Sequence, residues 1–271
     1  MGSKPLRNLQ TSAFHVSQLI GDRDEQEDSY GIFYRADDAE ARPLGFTVAD
    51  GMGGHVGGAI ASQTVVDSAK LCLEDSNEVL EETLLGEIVE ACTDNLAQCV
   101  RLNPEFEGMG STLALIIFQG PLLSLLSIGD SLVYGFSAKQ GLQRLNDDHS
   151  MKPVLDRLMD TGELPLTGEE YNSQKNMLRS AITGSKVELV DFQWQALRAA
   201  DYECLILASD GIDVLGIPEI ERMIADASKD SPAKVVDEIT QSITRVGAKG
   251  QDNATIIVIA TAEFLTDAVN A

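Results

Sequence analysis

Apolar residues in this chain recur with period two in some stretches and near 3.6 in others, and the order of those stretches predicts an α+β fold built in layers. Alternation over 11–19 reads as a strand, and 30–34 as its hairpin partner across the charged turn from Gly21 to Asp28. Residues 59–73 and 80–102 carry apolar side chains at helical spacing, with Asn77 placed to cap the second helix. Strands follow at 111–118, 122–128, 132–136 and 142–145, so closely spaced that antiparallel hairpins are expected to join them. A short helix over 151–161 leads into 162–176, which is polar, contains Pro165 and Gly168, and reads as an exposed flap. Strands at 187–194 and 204–208 come next, then a helix over 218–227 and another from Ser231-Pro232 to 246, where Ser suits the cap and Pro the first turn. A strand over 253–261 closes the series. Strands, a helix pair, strands, a second helix pair and a last strand predict two antiparallel sheets packed together with helix pairs outside.

Composition narrows the partners. The 271 residues contain no Pro/Ser-rich linker, so a single domain over 1–271 is expected, with tails at 1–10 and 263–271. Against 43 acidic residues stand 20 basic ones, a formal net charge of -23 that argues against nucleic acid or an anionic membrane as partner. Much of the excess is expected on a solvated surface, and part could form a cation site. No apolar run approaches the ~20 residues of a membrane span, so no membrane insertion is expected. Residues 1–10 lack the apolar core of a signal peptide, and Leu6 stands where a myristoylation signal needs a hydroxyl, which gives the expectation of a cytoplasmic protein. Cys72, Cys92, Cys99 and Cys204 show no C-x-x-C pairing and are expected as buried thiols, not as a disulfide or zinc site.

The chemistry is concentrated where apolar runs end. Asp50 follows 44–49 and leads into Gly51-Met52-Gly53-Gly54-His55, a carboxylate with glycines that let backbone approach a metal ion or phosphate. Asp130 follows 122–129, Asp210 follows 204–209, and Asp252 precedes 254–259, which suggests one shared acidic cleft. The loop from Gly51 to Gly58 has neither the order of a nucleotide P-loop nor the register of a dinucleotide loop. An Asp-Gly turn alone would be an ordinary hairpin, but Asp-Gly recurs at Asp210-Gly211. Carboxylates without a His/Cys pair select hard cations such as Mg²⁺ or Mn²⁺, and converging acids need such compensation. Two cations sharing an aspartate would hold a water and aim it at phosphorus. Arg23 adds a guanidinium that can grip two phosphoryl oxygens, although a solvated charge cluster is the bland alternative for its turn.

These residues resemble the metal-dependent protein phosphatases of the 2C (PPM) family, bacterial type. Arg23-Asp24-Glu25-Gln26-Glu27-Asp28 looks like the family's R-x-x-x-E-D, and Val48-Ala49-Asp50-Gly51-Met52-Gly53-Gly54-His55 like its V-x-D-G-M-G-G-H. Gly110-Ser111-Thr112-Leu113, Ile128-Gly129-Asp130-Ser131, Asp148-His149-Ser150, Ala208-Ser209-Asp210-Gly211 and Gln251-Asp252-Asn253-Ala254-Thr255 follow in the family's order. The resemblance implies a four-layer αββα sandwich of two mainly antiparallel sheets flanked by helix pairs, with two Mn²⁺ or Mg²⁺ ions at one end. It implies that Asp50 bridges both ions, that the Gly51 carbonyl binds one, and that Asp210 and Asp252 bind the other. Glu27 and Asp28 are expected to act nearby, partly through waters, Arg23 to hold substrate phosphate, and Asn253 to orient Asp252. Asp130 matches the anchor of a third, weaker ion, with Asp213 in support.

The chain also departs from the pattern. Ala59 replaces a Glu after the glycines, Leu132 replaces the Arg of G-D-S-R, and Asp213 sits one residue short of its usual spacing. Met52 occupies the place of a His proposed as general acid in animal members; His55 is expected to pack the loop and His149 to fix a turn before the flap, taken as 149–184. The implied activity is hydrolysis of phosphoserine and phosphothreonine in proteins by metal-activated water, without a phosphoenzyme, by a monomer opposing a bacterial serine/threonine kinase and acting on that kinase or its targets. A phosphoprotein-binding pseudophosphatase and a phosphatase of anti-sigma-antagonist proteins are the alternatives.

Overall fold

Several strands of this protein are continuous apolar runs because both of their faces are buried. In the computed structural model, which describes residues 13–34, 43–53, 56–74, 76, 80–227 and 231–265, the strands are β1 (Phe14–Leu19), β2 (Asp28–Tyr34), β3 (Pro43–Met52), β4 (Gly110–Ser111), β5 (Leu113–Gln119), β6 (Leu122–Ile128), β7 (Leu132–Ser137), β8 (Gly141–Arg144), β9 (Asp191–Arg198), β10 (Cys204–Ala208) and β11 (Ala254–Ala260). The helices are α1 (Val56–Glu74), α2 (Thr83–Leu102), α3 (Lys152–Asp160), α4 (Gly168–Gln174), α5 (Ile217–Ala227) and α6 (Pro232–Val246). One sheet has the order β1-β11-β10-β7-β8 and the other β2-β3-β5-β6-β9, with β4 beside β3. All of these pairings are antiparallel.

Alternation within each run sorts side chains between two layers of core. Ala114, Ile116 and Phe118 of β5, Leu205 and Leu207 of β10, and Ile257 and Ile259 of β11 meet between the sheets with Phe46 and Val48 of β3. Leu113, Leu115 and Ile117 point the other way, under α1 and α2, where Val65, Ala69, Leu85, Ile88 and Leu96 cover them. Ile206, Ile256 and Val258 likewise lie under α5 and α6, against Ile220, Ile224, Val236, Ile239 and Ile243. The result is the expected αββα sandwich. The Ser231 hydroxyl accepts from the Lys234 N–H at the start of α6, and Gly247 ends that helix in a left-handed conformation.

Two expected hairpins do not form. β1 pairs with β11 and β2 with β3, so the first two strands belong to different sheets. The charged segment 20–27 is long enough at ~3.3 Å per residue to cross the ~10 Å between packed sheets. In the same way β6 and β7 lie in opposite sheets, and Gly129-Asp130-Ser131 crosses between them, with Gly129 at φ 98. Both crossings end at the same mouth of the sandwich.

Smaller differences concern ends. Helix α2 starts at Thr83 after Glu82, not at 80, and Asn77 lies outside the described residues. Strand β9 starts at Asp191 and runs on to Arg198. The flap is not all loop: a reciprocal cap between Thr167 and Glu170 starts α4, and the Tyr171 hydroxyl donates to Asp156 of α3 at 2.6 Å. The segment from 263 was expected as a tail, but Thr261–Phe264 form a turn and Phe264 stacks on Phe118 in the central core, because an aromatic there closes the end of the layer. Residues 1–10, the other expected tail, and His55 lie outside the described residues.

Candidate metal centre

Strand register places the first two carboxylates. Asp28 and Asp50 stand opposite each other on β2 and β3. Gly51 follows where no side chain fits, since a Cβ there would collide with the carbonyl oxygens of Gly58 and Glu27. From the other sheet, β10 and β11 bring Asp210 and Asp252 to the same end. Gly211 lets the Asp210 turn close on the Asn253 carbonyl, which a Cβ would strike. Asp130 arrives on the crossing between β6 and β7.

Polar side chains tie these segments together. Asp28, only 4% exposed, accepts through Oδ2 from the hydroxyls of Ser209 and Thr255, each at 2.7 Å, so one carboxylate links the two sheets. The Thr112 hydroxyl accepts from the Asp50 N–H at 2.8 Å and lies 2.7 Å from the Ser131 hydroxyl. Asn253 clamps the Arg23 turn: its Nδ2 donates to the carbonyls of Ile20 and Glu25, and its Oδ1 accepts from the Glu27 N–H at 2.7 Å. It orients Asp252 through its backbone, whose N–H donates to Asp252 Oδ1 at 2.8 Å, while its side chain serves the turn. His149 fixes the crossing at Gly129, accepting the Gly129 N–H at Nδ1 and donating its own N–H to the Gly129 carbonyl.

The acids line a cleft of about 1040 Å³ that includes Glu27, Asp50, Gly51, Asp130, Asp210, Asp252 and Arg23. Arg23 Nη2 donates to Asp252 Oδ2 at 2.6 Å on the rim, where both side chains are more than two-fifths exposed. Asp213 is exposed on the turn after Asp210 and does not line the cleft. Arg179 and Lys186 also line the cleft, and nothing in their spacing along the chain ties them to the acidic motifs. Thr112, Ser209 and Thr255 lie within the phosphatase-like motifs, but only the fold reveals that their hydroxyls hold carboxylates or their backbone.

Burial and neighbouring acids together raise the carboxyls at this end. Burial, then Asp28, Asp210, Asp130 and Asp252, holds the Asp50 carboxyl well above the usual carboxylate range. Burial, then Asp130 and Asp252, raises Asp210 to about 8. Burial raises Asp130 to about 6, with Asp148 adding to it. Asp28 also rises to about 6 through burial, against the pull of its two hydroxyl donors. Among the described residues no three His, Cys, Asp or Glu side chains close on one point as a finished ligand shell. Asp252 is paired with Arg23 at the rim.

The residues nevertheless fit hard divalent cations. Asp28 Oδ1 is buried and finds no hydrogen-bond donor among the described residues. The donor set is all oxygen, no histidine or cysteine is among the described cleft-lining residues, and the raised carboxyls show charge that a cation would neutralise.

Known proteins share this arrangement's sequence and fold. The family model for protein phosphatase 2C matches residues 21–255. The serine/threonine protein phosphatase PstP of Mycobacterium tuberculosis is 34% identical over 220 residues, 78% of this chain and 39% of PstP. The chain thus spans about two-fifths of the length of the PstP relatives it matches. The serine/threonine phosphatase stp of Listeria welshimeri is 28% identical over 242 residues, covering 88% of this chain and 90% of that one. Among solved structures, the catalytic domain of PstP in complex with two manganese ions matches with TM-score 0.70 and 27% identity, over 91% of this chain and 96% of that chain. Stp1 from Staphylococcus aureus matches with TM-score 0.76 and 25% identity, over 96% and 99%. From the Arg23 turn to the last strand, the chain belongs to the protein phosphatase 2C family.

Proposed function

We propose that this protein hydrolyses phosphoserine and phosphothreonine in other proteins with the help of two divalent cations, Mn²⁺ or Mg²⁺. The observation that carries the reading is the facing of Asp28 and Asp50 in one sheet with Asp210 and Asp252 from the other, at one end of the sandwich where burial and then neighbouring acids raise the carboxyls of Asp28, Asp50 and Asp210. Asp50 and the Gly51 carbonyl, with Asp210 and Asp252, would hold the pair of cations; Glu27 and Asp28 would support them, and Asp130 a third, weaker one. Bound there, such cations supply Lewis acidity that polarises a phosphoryl group and makes water a nucleophile at neutral pH. Arg23 spends one N–H on Asp252 and keeps the rest of its guanidinium exposed at the rim, able to orient phosphoryl oxygens and offset charge gathering on them. The ion pair also holds Asp252 beside Arg23 at the rim. Thr112 keeps the Asp50 backbone in place throughout.

Water is the proposed nucleophile, which fits a cleft with no cysteine or histidine among its described lining residues. Substrates are phosphoproteins, including the products of a serine/threonine kinase, and the protein acts as a monomer. A cytoplasmic site of action agrees with four free cysteines, which a reducing compartment preserves. Among the described residues no helix is long and apolar enough to cross a membrane. The test is phosphate release from matched phosphoserine, phosphothreonine and phosphotyrosine peptides with Mn²⁺, with Mg²⁺ and with chelator. Hydrolysis of the first two that stops with chelator is expected. Equal rates in chelator, or a preference for phosphotyrosine, would overturn the reading.

A further inference from the structure

Asp130 sits on the three-residue crossing Gly129-Asp130-Ser131, which passes from one sheet to the other with no secondary structure of its own. All three of its carbonyls are nevertheless held, and all by one short segment. The His149 N–H donates to the Gly129 carbonyl at 3.1 Å, Arg144 Nη2 to the Asp130 carbonyl at 3.0 Å, and Asn146 Nδ2 to the Ser131 carbonyl at 2.8 Å. Arg144 is the hub of that segment. Its Nη1 reaches Asp148 Oδ2 at 3.2 Å and its Nε reaches Asn146 Oδ1 at 3.3 Å, so one planar guanidinium engages the crossing and two of its neighbours. The pair is well shielded, with Arg144 25% and Asp148 14% exposed in their side chains. Leu132, directly after the crossing, is buried in the core and offers no charge. The cation therefore comes from the paired strand, where Arg144 stands opposite Tyr134.

We propose that Arg144 is a positioning residue for Asp130: by holding the peptide of the crossing and Asp148 together, it fixes the Asp130 carboxylate at the cleft in the place where it serves a cation. The inference rests on the metal-binding reading above. Three acceptors in different directions match the fork of a guanidinium and not the single point of an ammonium. From Asn146 and Ser131 the hydrogen bonds continue to Thr112 and the Asp50 N–H, so the same hub steadies both ends of the acidic row.

The experiment compares wild type with Arg144→Met, Arg144→Lys and, as a control for net charge, Arg222→Met on the exposed face of α5, where Arg222 pairs with Glu219 and Asp226. Mn²⁺ binding to chelator-stripped protein is measured by calorimetry, beside the Mn²⁺ concentration for half-maximal phosphate release and the KM for a phosphothreonine peptide. The weakest Mn²⁺ site should lose about 10- to 100-fold in affinity in Arg144→Met, as for other groups that support a ligand from behind. KM should stay within about twofold, because positioning acts on the cation and not on uniform substrate binding. Arg144→Lys should fall between, and Arg222→Met should match wild type. If Arg144→Met does not fold, as judged by circular dichroism, Arg144→Lys decides by the same measurement. Wild-type Mn²⁺ affinity in the folded Arg144 variants would overturn the inference alone. A wild-type protein that bound no Mn²⁺ would overturn both it and the reading it rests on.

Discussion

Removing one of the mutually repelling acids should make the metal-free protein more stable while abolishing its response to metal. In the fold the Asp210 carboxyl is raised from 3.8 to about 8, by burial first and then by Asp130, Asp252, Asp213 and Asp28. A carboxyl raised in this way binds its proton more tightly folded than unfolded. Its contribution to stability is fully present below about pH 4 and is lost as pH climbs through about 8. Some 4 pH units at about 1.4 kcal/mol each set a ceiling of about 5–6 kcal/mol on that loss. Asp210→Asn removes the charge but leaves a buried amide, which costs about 1–3 kcal/mol when incompletely hydrogen-bonded. The expected net gain at pH 8 in chelator is therefore about 2–4 kcal/mol, with no gain at pH 4. Urea denaturation of both proteins at the two pH values, with chelator and then with Mn²⁺, measures it. Mn²⁺ should raise the wild-type midpoint and leave the variant's unchanged. An Asp210→Asn protein less stable than wild type at pH 8 in chelator would refute the claim that the buried charge of Asp210 destabilises this end of the sandwich.

Other consequences are more local. Arg23→Ala should lower kcat/KM on a phosphothreonine peptide by about 10- to 100-fold, the worth of charge-assisted hydrogen bonds, yet barely move the melting temperature, because its pair with Asp252 is exposed. Thr255→Val takes a hydroxyl from Asp28 Oδ2 and should destabilise by about 1–3 kcal/mol in urea denaturation; a neutral effect would show that Ser209 alone satisfies that oxygen. Cys92 and Cys204 are buried thiols pushed up to about 12, so alkylation at pH 8 read by mass spectrometry should mark them only after denaturation.

How much of this was legible in the sequence depends on the range of the interaction involved. The apolar runs 113–119, 204–208 and 254–260 mark strands buried on both faces, and the acids at their ends mark a common mouth, because strand polarity and alternation are local properties. Sheet membership is not local. Residues 14–19 and 28–34 are joined by a turn compatible with a hairpin, and only their partners β11 and β3 separate them. The site shows the same division. Asp50, Asp210 and Asp252 could be named from their motifs, whereas the bonds of Asp28 to Ser209 and Thr255 span more than 180 residues of chain. At Asn253 the motif names the residue but not its contacts: its side chain holds the Arg23 turn, and its backbone N–H meets Asp252. Arg144 has no motif spacing that points to Asp130, so its part emerges only from the paired strands β7 and β8.

Asp50 is the residue on which the whole account converges, since it faces Asp28 across the sheet and feels Asp210, Asp130 and Asp252. The direct test is phosphate release from a phosphothreonine peptide by chelator-stripped wild type and Asp50→Asn protein, titrated with Mn²⁺. Wild-type release should rise from background as Mn²⁺ is added and then saturate, with Asp50→Asn remaining at background at every concentration although folded. Release by the wild type without added Mn²⁺, or Mn²⁺-dependent release by Asp50→Asn at the wild-type rate, would contradict it.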